Sequence, residues 1–186
     1  MKALSLQQPY AYLILERYYE DNPKKPLKPV ENRSRPLPST FTLPQRIWVH
    51  ASLSLYDVHL SELKELMTAT QWMRCKDKLH FIYGQYQTYR NDKKWLQRLG
   101  NFGCLLGTVV ITGQMRKSRT ELPFATGKPS MGDKQAELNH LKRIDSPYLS
   151  PWFFGEYGYT LEYPEMLPQP IPYRGQLGFF EIELPE

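Results

Sequence analysis

The segment CLLGTVVITG, residues 104–113, is the most apolar stretch of the chain and constrains the fold more than any other feature. Its β-branched residues favour a strand. Gly107 interrupts this run, and a glycine inside a strand indicates a bulge or the close approach of another backbone. RIWVHA, residues 46–51, alternates β-branched and aromatic residues at period two, so a second strand is predicted there.

Shorter segments predict further strands and helices. Residues 2–6, 157–163 and 177–184 are typical of strands, and residues 30–35 of an extended segment. Pro9 is expected to open a helix, since a proline at the first turn loses no hydrogen bond. That helix would bury residues at helical spacing, namely Tyr10, Leu13, Ile14, Arg17 and Tyr18. Ser54 with Asp57 predicts a capping box for the next helix.

The arrangement of these elements predicts an α+β fold, because strands and helices follow one another without regular βαβ alternation. A mixed sheet or a small barrel with helices at its ends fits this order. Residues 57–100 are expected to form a helical insertion and residues 114–133 a mobile loop, with a short helix near 134–143. Residues 21–29 predict a loop, and residues 164–175 a proline-rich surface crossing. At 186 residues, the chain 1–186 is predicted to be a single domain.

The charge of the chain favours phosphate-bearing partners. Its formal net charge is +5, and residues 74–98 contain seven Lys or Arg against Asp77 and Asp92. This basic stretch is either a solvated helix face or a surface that contacts phosphates, and the pattern leaves both interpretations open.

Composition also argues against several other classes of protein. The chain starts without a long apolar run, and no segment approaches the roughly 20 apolar residues of a membrane-spanning helix. Cys75 and Cys104 are expected to be reduced thiols in a cytoplasmic protein, with a disulfide as the alternative. The four histidines are scattered, so no metal and no cofactor are expected.

Three parts of the chain resemble the ASCH family. SLQQPYA (5–11) is similar to the strand-to-helix opening of that family, and KPVENRS (28–34) to its K-x-x-E-x-R motif, which IWVHAS (47–52) follows. SPWFFGEYG (150–158) and PYRGQLG (172–178) near the C-terminus also resemble ASCH sequence. These segments occur in family order and span most of the chain.

The resemblance implies a PUA-like mixed β-barrel with peripheral helices, whose polar cleft is lined by the K-x-x-E-x-R residues and the Gln-Pro turn. It also implies RNA or a modified nucleoside or nucleotide as the ligand. Some members are hydrolases, either amidohydrolases acting on acylated cytidine or ribonucleases. The amidohydrolase branch has Thr three positions after its Lys, where this chain has Glu31.

Within the K-x-x-E-x-R segment, Glu31 and Arg33 share one face of an extended chain, and Lys28 leads into it. A cation, a carboxylate and a guanidinium can together neutralise a phosphate, accept from a base amino group and donate to a carbonyl. The alternative is an ordinary surface network of ion pairs. If the protein is an enzyme, Lys28 and Glu31 are the catalytic candidates.

Three further residues are predicted to contact the ligand. Gln8 can hydrogen-bond a base edge or cap the helix beside it. Ser52 can donate to a phosphate or begin a turn. Trp152 is the residue of its aromatic run that we expect to stack on a base. His50 is either a general base or a structural histidine in an apolar strand.

Three function classes therefore remain open. The first is a binding module for RNA or a modified nucleobase, aided by the basic stretch and able to take single-stranded nucleic acid. The second is a small hydrolase that uses the cleft alone. The third is a protein-interaction domain whose basic stretch binds an acidic partner. Salt separates the first two, because a module that contacts several phosphates loses affinity steeply as salt rises.

Overall fold

The computed structural model of the protein describes residues 1–19, 22–116 and 150–183. Eight strands and four helices are assigned there. The strands are β1 (Lys2–Gln8), β2 (Arg17–Tyr19), β3 (Asn22–Pro26), β4 (Val30–Arg33), β5 (Gln45–Leu55), β6 (Cys104–Arg116), β7 (Tyr157–Pro172) and β8 (Phe179–Glu181). The helices are α1 (Tyr10–Leu15), α2 (Leu60–Glu65), α3 (Ala69–Tyr89) and α4 (Lys93–Arg98).

Six of these strands form one sheet in the order β4-β7-β6-β5-β1-β8. β1 is parallel to β5, and the other neighbouring pairs are antiparallel. β2 and β3 pair separately as a two-stranded sheet. The α+β class with a mixed sheet is therefore confirmed, and the sheet is mostly antiparallel.

The apolar segment 104–113 lies within β6, between β5 and β7, as its composition predicts. A Cβ added to Gly107 would lie 2.1 Å from the backbone oxygen of Glu165 in β7. The pairing of β6 with β7 also shifts register between Leu105 and Gly107. The prediction of a close backbone approach at Gly107 is confirmed, because only a residue without a side chain fits there.

Helix α1 lies between the sheet and the other helices, and all six of its residues are buried. Ala11, Ile14 and Leu15 pack with the apolar side chains of β1, β5 and β6. Tyr10 and Leu13 pack with side chains of α2, α3 and α4. This short helix is consequently held by burial on both sides rather than by its own length.

The chain returns from the β2–β3 hairpin directly onto α1. Leu27 donates its backbone N–H to the carbonyl of Glu16 at 2.6 Å, and Lys28 donates to the carbonyl of Leu13 at 3.0 Å. These bonds satisfy carbonyls that the end of a helix leaves without partners. They also place Lys28 against α1, where its side chain becomes buried.

Several local predictions near the N-terminus are wrong. Helix α1 ends at Leu15, and Arg17 and Tyr18 belong to β2 instead. Residues 22–26, expected in a loop, form β3 because they pair with β2. Antiparallel backbone pairing outweighs the weak local preferences of these short segments.

Three boundaries elsewhere also differ from the predictions. Ser54 does not cap a helix, because β5 continues to Leu55. At the start of α2, the N–H of His59 donates to Glu62 instead.

The strand β6 continues to Arg116, so residues 114–116 are part of a strand and not of a loop. The rest of the predicted loop 114–133 and the predicted helix 134–143 lie outside the described residues. Residues 164–172 belong to β7 although they contain four prolines. β4 pairs only with residues 157–160 of β7, so the rest of the strand has no β4 partner on that side. Proline is tolerated there because its missing N–H breaks no pairing with β4.

The predicted helical insertion at 57–100 contains α2, α3 and α4. Thr68 caps α3, with its hydroxyl accepting from the N–H of Gln71 at 3.3 Å and the Gln71 side chain accepting from the N–H of Thr68 at 2.8 Å. No helix within the described ranges has the length and apolar character needed to cross a membrane.

Candidate functional site

A cleft of about 390 Å³ opens where β4, β1 and the end of β5 come together. A cavity of this size is within the range of small-molecule sites, roughly 300–1,000 Å³. Its walls combine apolar and polar side chains from five separate parts of the chain. They are Ser5, Leu6, Gln7, Tyr10, Lys28, Glu31, Asn32, Arg33, Ser52, Ser54, Tyr56, Phe154, Leu177 and Gly178.

Lys28 and Glu31 form a buried ion pair at the floor of the cleft. Lys28 Nζ lies 2.8 Å from Glu31 Oε2 and also donates to the carbonyl of Val30 at 2.6 Å. The side chain of Lys28 is 0% exposed, and its ammonium lies 4.9 Å from the centre of the Tyr10 ring. Burial lowers the pKa of Lys28, and the nearby Glu31 carboxylate opposes that shift. Lys28 therefore orients Glu31 from beneath, instead of reaching into the cleft as a free charge.

Arg33 completes the trio and is its most exposed member. Its Nε lies 3.2 Å from Glu31 Oε1, and its side chain is 26% exposed compared with 9% for Glu31. Nη2 donates to the carbonyl of Ser5 at 3.3 Å. The buried Nε has no hydrogen-bond partner among the described residues, although it lies within ion-pair distance of the carboxylate. The structure thus brings together the three side chains that the alternation in residues 28–33 predicts to converge.

Asn32, between Glu31 and Arg33, holds the loop before β7. Its side-chain amide donates to the carbonyl of Trp152 at 2.8 Å. Its carbonyl oxygen accepts from the N–H groups of Phe154 at 3.0 Å and Gly155 at 2.9 Å. The sequence analysis did not predict a role for Asn32. Its position between Glu31 and Arg33 in an extended strand indicates that its side chain lies on the opposite face of β4 from theirs.

Trp152, which we predicted to stack on a base, does not line the cleft. Trp152 is 2% exposed and belongs to the apolar cluster under the helices. Phe154, two residues later, is 48% exposed and lies in the wall of the cleft. The hydrogen bonds from Asn32 determine this arrangement, because they fix the backbone on both sides of Phe153.

Gln8, for which we predicted either a ligand contact or a helix cap, does not line the cleft and caps α1. Gln8 is 0% exposed. Its side-chain oxygen accepts from the N–H of Tyr12 in α1 at 3.1 Å, and its amide donates to the carbonyl of Asn101 at 2.6 Å. The preceding residue, Gln7, lies in the cleft wall instead.

Ser52 lies in the cleft wall, as expected of a ligand contact. Its hydroxyl is 2.9 Å from that of Ser54, which also accepts from the Gln7 amide at 3.2 Å. These three side chains form a polar row along the ends of β1 and β5. Their hydroxyl and amide groups can donate hydrogen bonds to a ligand in the cleft or accept hydrogen bonds from it.

His50 is a buried residue next to the cleft wall and has partners on both ring nitrogens. Nδ1 is 2.9 Å from the Ser5 hydroxyl and Nε2 is 3.1 Å from the carbonyl of Tyr173. Because a carbonyl only accepts, Nε2 carries the proton in the neutral ring. Burial lowers the pKa of His50, and the hydrogen bond to Tyr173 opposes this shift. The site thus favours neutral His50 in a structural role.

No set of three His, Cys, Asp or Glu side chains in the described ranges could hold a metal ion. Cys75 and Cys104 are both free and buried. Burial raises the pKa of each thiol to about 11, which keeps both thiols protonated at neutral pH.

The basic residues of 74–98 do not all lie on a free surface. Arg74 pairs with Glu16 at 3.0 Å and donates to the backbone carbonyls of Arg17 and Tyr18, so it fastens α3 to the first hairpin. The exposed cations at the other end of the stretch are Arg90, Lys93, Lys94 and Arg98.

Comparison with known proteins identifies no family. No family model matches the chain, and a search of curated proteins finds no matching relative.

Proposed function

We propose that the cleft binds a nucleobase, presented by RNA or by a modified nucleoside or nucleotide. The observation that carries this proposal is the meeting of four distant segments at one cleft. SLQQPYA supplies Ser5 and Gln7, and KPVENRS supplies the Lys28, Glu31 and Arg33 trio. SPWFFGEYG supplies Phe154, and PYRGQLG supplies Leu177. These are the segments whose sequences resemble the ASCH family.

The same resemblance leads us to propose a PUA-like barrel for the fold. The six-stranded sheet and the hydrogen bond from Arg33 in β4 to Ser5 in β1 support this proposal. The bond crosses between strands that are separated in the sheet by β7, β6 and β5, so the sheet must curve strongly. The cleft occupies the opening between β4 and β1.

The chemistry of the cleft suits a planar ligand with both donors and acceptors. Glu31 accepts from a base amino group, and Arg33 donates to a base carbonyl or a phosphate. Phe154 and Tyr56, which are 48% and 39% exposed, supply rings in the wall on which a base can stack. Lys28 keeps the Glu31 carboxylate oriented, because Lys28 contacts Oε2 of Glu31 while Arg33 contacts Oε1.

The exposed cations of α3 and α4 aid this binding by attracting phosphates. Such attraction is long-ranged and weakens with salt. A free nucleoside carries no phosphate, so its binding to the cleft should depend little on salt. The affinity for an oligonucleotide should fall strongly as the salt concentration rises.

The experiment is calorimetric titration of the four ribonucleosides and of a short single-stranded RNA into the wild type and two variants. Arg33→Ala removes the donor in the cleft, and Arg46→Ala is its matched control, since Arg46 also pairs with a glutamate, at 3.1 Å, but lies outside the cleft wall. Binding that Arg33→Ala weakens at least about tenfold and Arg46→Ala leaves unchanged supports the proposal. Equal binding by all three proteins overturns it.

A hydrolase that uses the same cleft is the second candidate function. The observation in its favour is the contact of the fully buried Lys28 with Glu31 at 2.8 Å in the cleft. Burial lowers the pKa of Lys28, which is the direction that a lysine acting as a base requires. Lys28 and Glu31 would then be the catalytic pair. The test is incubation of an N4-acylated cytidine with the wild type and with Lys28→Arg, followed by chromatography for cytidine. Release of cytidine by the wild type alone supports the hydrolase.

A further inference from the structure

An exposed cluster of aromatic and cationic side chains lies at the end of α3 and on α4, away from the cleft wall. Trp95 is 50% exposed, although tryptophan is mostly buried in folded proteins. Its ring packs against Tyr89 with 6.3 Å between ring centres and 27° between ring planes. The guanidinium carbon of Arg98 lies 5.4 Å from the centre of the Trp95 ring.

The surroundings of this cluster are strongly basic. Arg90, Lys93, Lys94 and Arg98 are all exposed between residues 90 and 98, where Asp92 is the single acidic residue. Asp92 is occupied in capping α4, since its carboxylate accepts from the N–H of Trp95 at 3.1 Å. A polyanion is the partner whose charge complements such a surface.

The fold holds α4 firmly although the helix is only six residues long. Leu96 is 0% exposed and packs in the apolar cluster with α2 and α3. The Gln97 amide donates to the carbonyl of Gly103 at 2.7 Å. Trp95 is therefore presented on a rigid element, which lowers the entropic cost of binding.

The cluster is also structurally connected to the end of β5. A Cβ added to Gly103 would lie 2.9 Å from Leu53 Cδ2 and 3.3 Å from the Gln97 amide nitrogen. Leu53 stands between Ser52 and Ser54, both of which line the cleft. The end of β5 therefore packs against the part of the fold that holds α4 in place.

We propose that the Tyr89–Trp95–Arg98 cluster is a second binding site, which takes a base of single-stranded nucleic acid. The base stacks on the exposed aromatic surface, while Arg90, Lys93 and Lys94 contact the flanking phosphates. An acidic peptide would satisfy the charges but has no planar bases to stack. The inference does not depend on what occupies the cleft, because the two sites share no residue.

The test is fluorescence anisotropy with a labelled 12-nucleotide oligouridylate in low and moderate salt. Trp95→Leu keeps apolar bulk but removes the ring, and Trp95→Phe keeps an aromatic face. Phe81→Leu is the matched control, since Phe81 is an exposed aromatic on α3, 54% exposed, with Lys78 beside it. We expect Trp95→Leu to weaken binding about tenfold, and Trp95→Phe and Phe81→Leu to change it less than about threefold.

Intrinsic tryptophan fluorescence gives a second readout of the same site. Stacking of a base on Trp95 should quench the wild-type emission when oligouridylate is added, and the quench should be absent in Trp95→Leu. Unchanged affinity of Trp95→Leu, or an equal loss in Phe81→Leu, overturns the proposal.

Two further measurements separate the alternatives. A labelled hexaglutamate peptide tests for an acidic partner. If it binds the wild type and Trp95→Leu equally, and binds Lys93→Gln/Lys94→Gln more weakly, the surface is an acidic peptide site and the nucleic-acid proposal is overturned. Nucleoside binding in the cleft should be the same in the wild type and Trp95→Leu. Loss of oligonucleotide binding with retained nucleoside binding therefore assigns the effect to α4 and not to the cleft.

Discussion

Arg33, in the edge strand β4, donates a hydrogen bond from Nη2 to the backbone carbonyl of Ser5 in β1 at 3.3 Å. β7, β6 and β5 lie between these two strands in the sheet, so the contact brings the edge strand β4 close to β1, the neighbour of the other edge strand, β8. The same Arg33 pairs with Glu31, which pairs with the buried Lys28. One chain of polar contacts thus joins the floor of the cleft to the strand that forms its opposite wall.

The two aromatic residues of the loop before β7 should respond differently to substitution. Phe154→Leu should weaken nucleoside binding about fivefold or more, because stacking on a base contributes roughly 1–3 kcal/mol, and should leave the melting temperature unchanged. Trp152→Leu should lower the free energy of unfolding by about 2–3 kcal/mol, since it leaves a cavity in the core. Calorimetric binding and urea unfolding of both variants check this pair. Weaker binding in Trp152→Leu at unchanged stability would restore Trp152 as the ligand contact.

The Lys28–Glu31 pair predicts a coupled effect on stability. Lys28→Met should lower the free energy of unfolding by about 3 kcal/mol, because the buried Glu31 carboxylate then loses its ion pair with the Lys28 ammonium. Lys28→Met/Glu31→Gln should recover part of that loss, since no buried carboxylate then depends on Arg33 alone for a counter-charge and the amide oxygen still faces Arg33. Urea unfolding of the two single variants and the double variant measures the coupling. Additive losses would show that the pair does not interact.

Gly107 and Gly84 make a matched pair of glycine substitutions. Gly107→Ala should destabilise the protein by more than about 2 kcal/mol, because its Cβ would lie 2.1 Å from a backbone oxygen of β7. Gly84→Ala, in the middle of α3 with nothing within 4 Å, should stabilise it by about 0.5–1 kcal/mol. Thermal unfolding of both variants tests the two opposite signs. A neutral Gly107→Ala would mean that β6 and β7 are farther apart there.

The lowered pKa of His50 predicts that the free energy of unfolding falls in mild acid. Its pKa is lowered below the ordinary 6.5 by burial, so the unfolded chain binds this proton more readily than the folded chain. The free energy of unfolding should therefore fall as the pH drops below about 6.5, until the pH reaches the folded-state pKa.

Urea unfolding between pH 7.5 and pH 5 measures that slope. His50→Gln should flatten it, because its amide can donate to Tyr173 and accept from Ser5 without titrating in this range. An identical slope in wild type and His50→Gln would assign the acid sensitivity to another group.

The sequence alone determined those features whose cause is local. Alternation in an extended segment placed Glu31 and Arg33 on one face, and a glycine within the most apolar strand indicated the close approach that Gly107 makes to β7. Strand periodicity likewise located β5 and β6 within a few residues of their observed bounds. These signals depend on backbone geometry, which repeats every two residues in a strand.

Only the tertiary structure decided which of several similar side chains reaches the cleft. Gln7 lines it and Gln8 does not, and Phe154 lines it where Trp152 is buried. Those outcomes depend on partners far away in the chain: Asn101 accepts from Gln8, and Asn32 holds the carbonyl of Trp152, 120 residues later. A local pattern shows that two faces of a segment differ, but distant residues determine which face is covered, because burial requires something to pack against it.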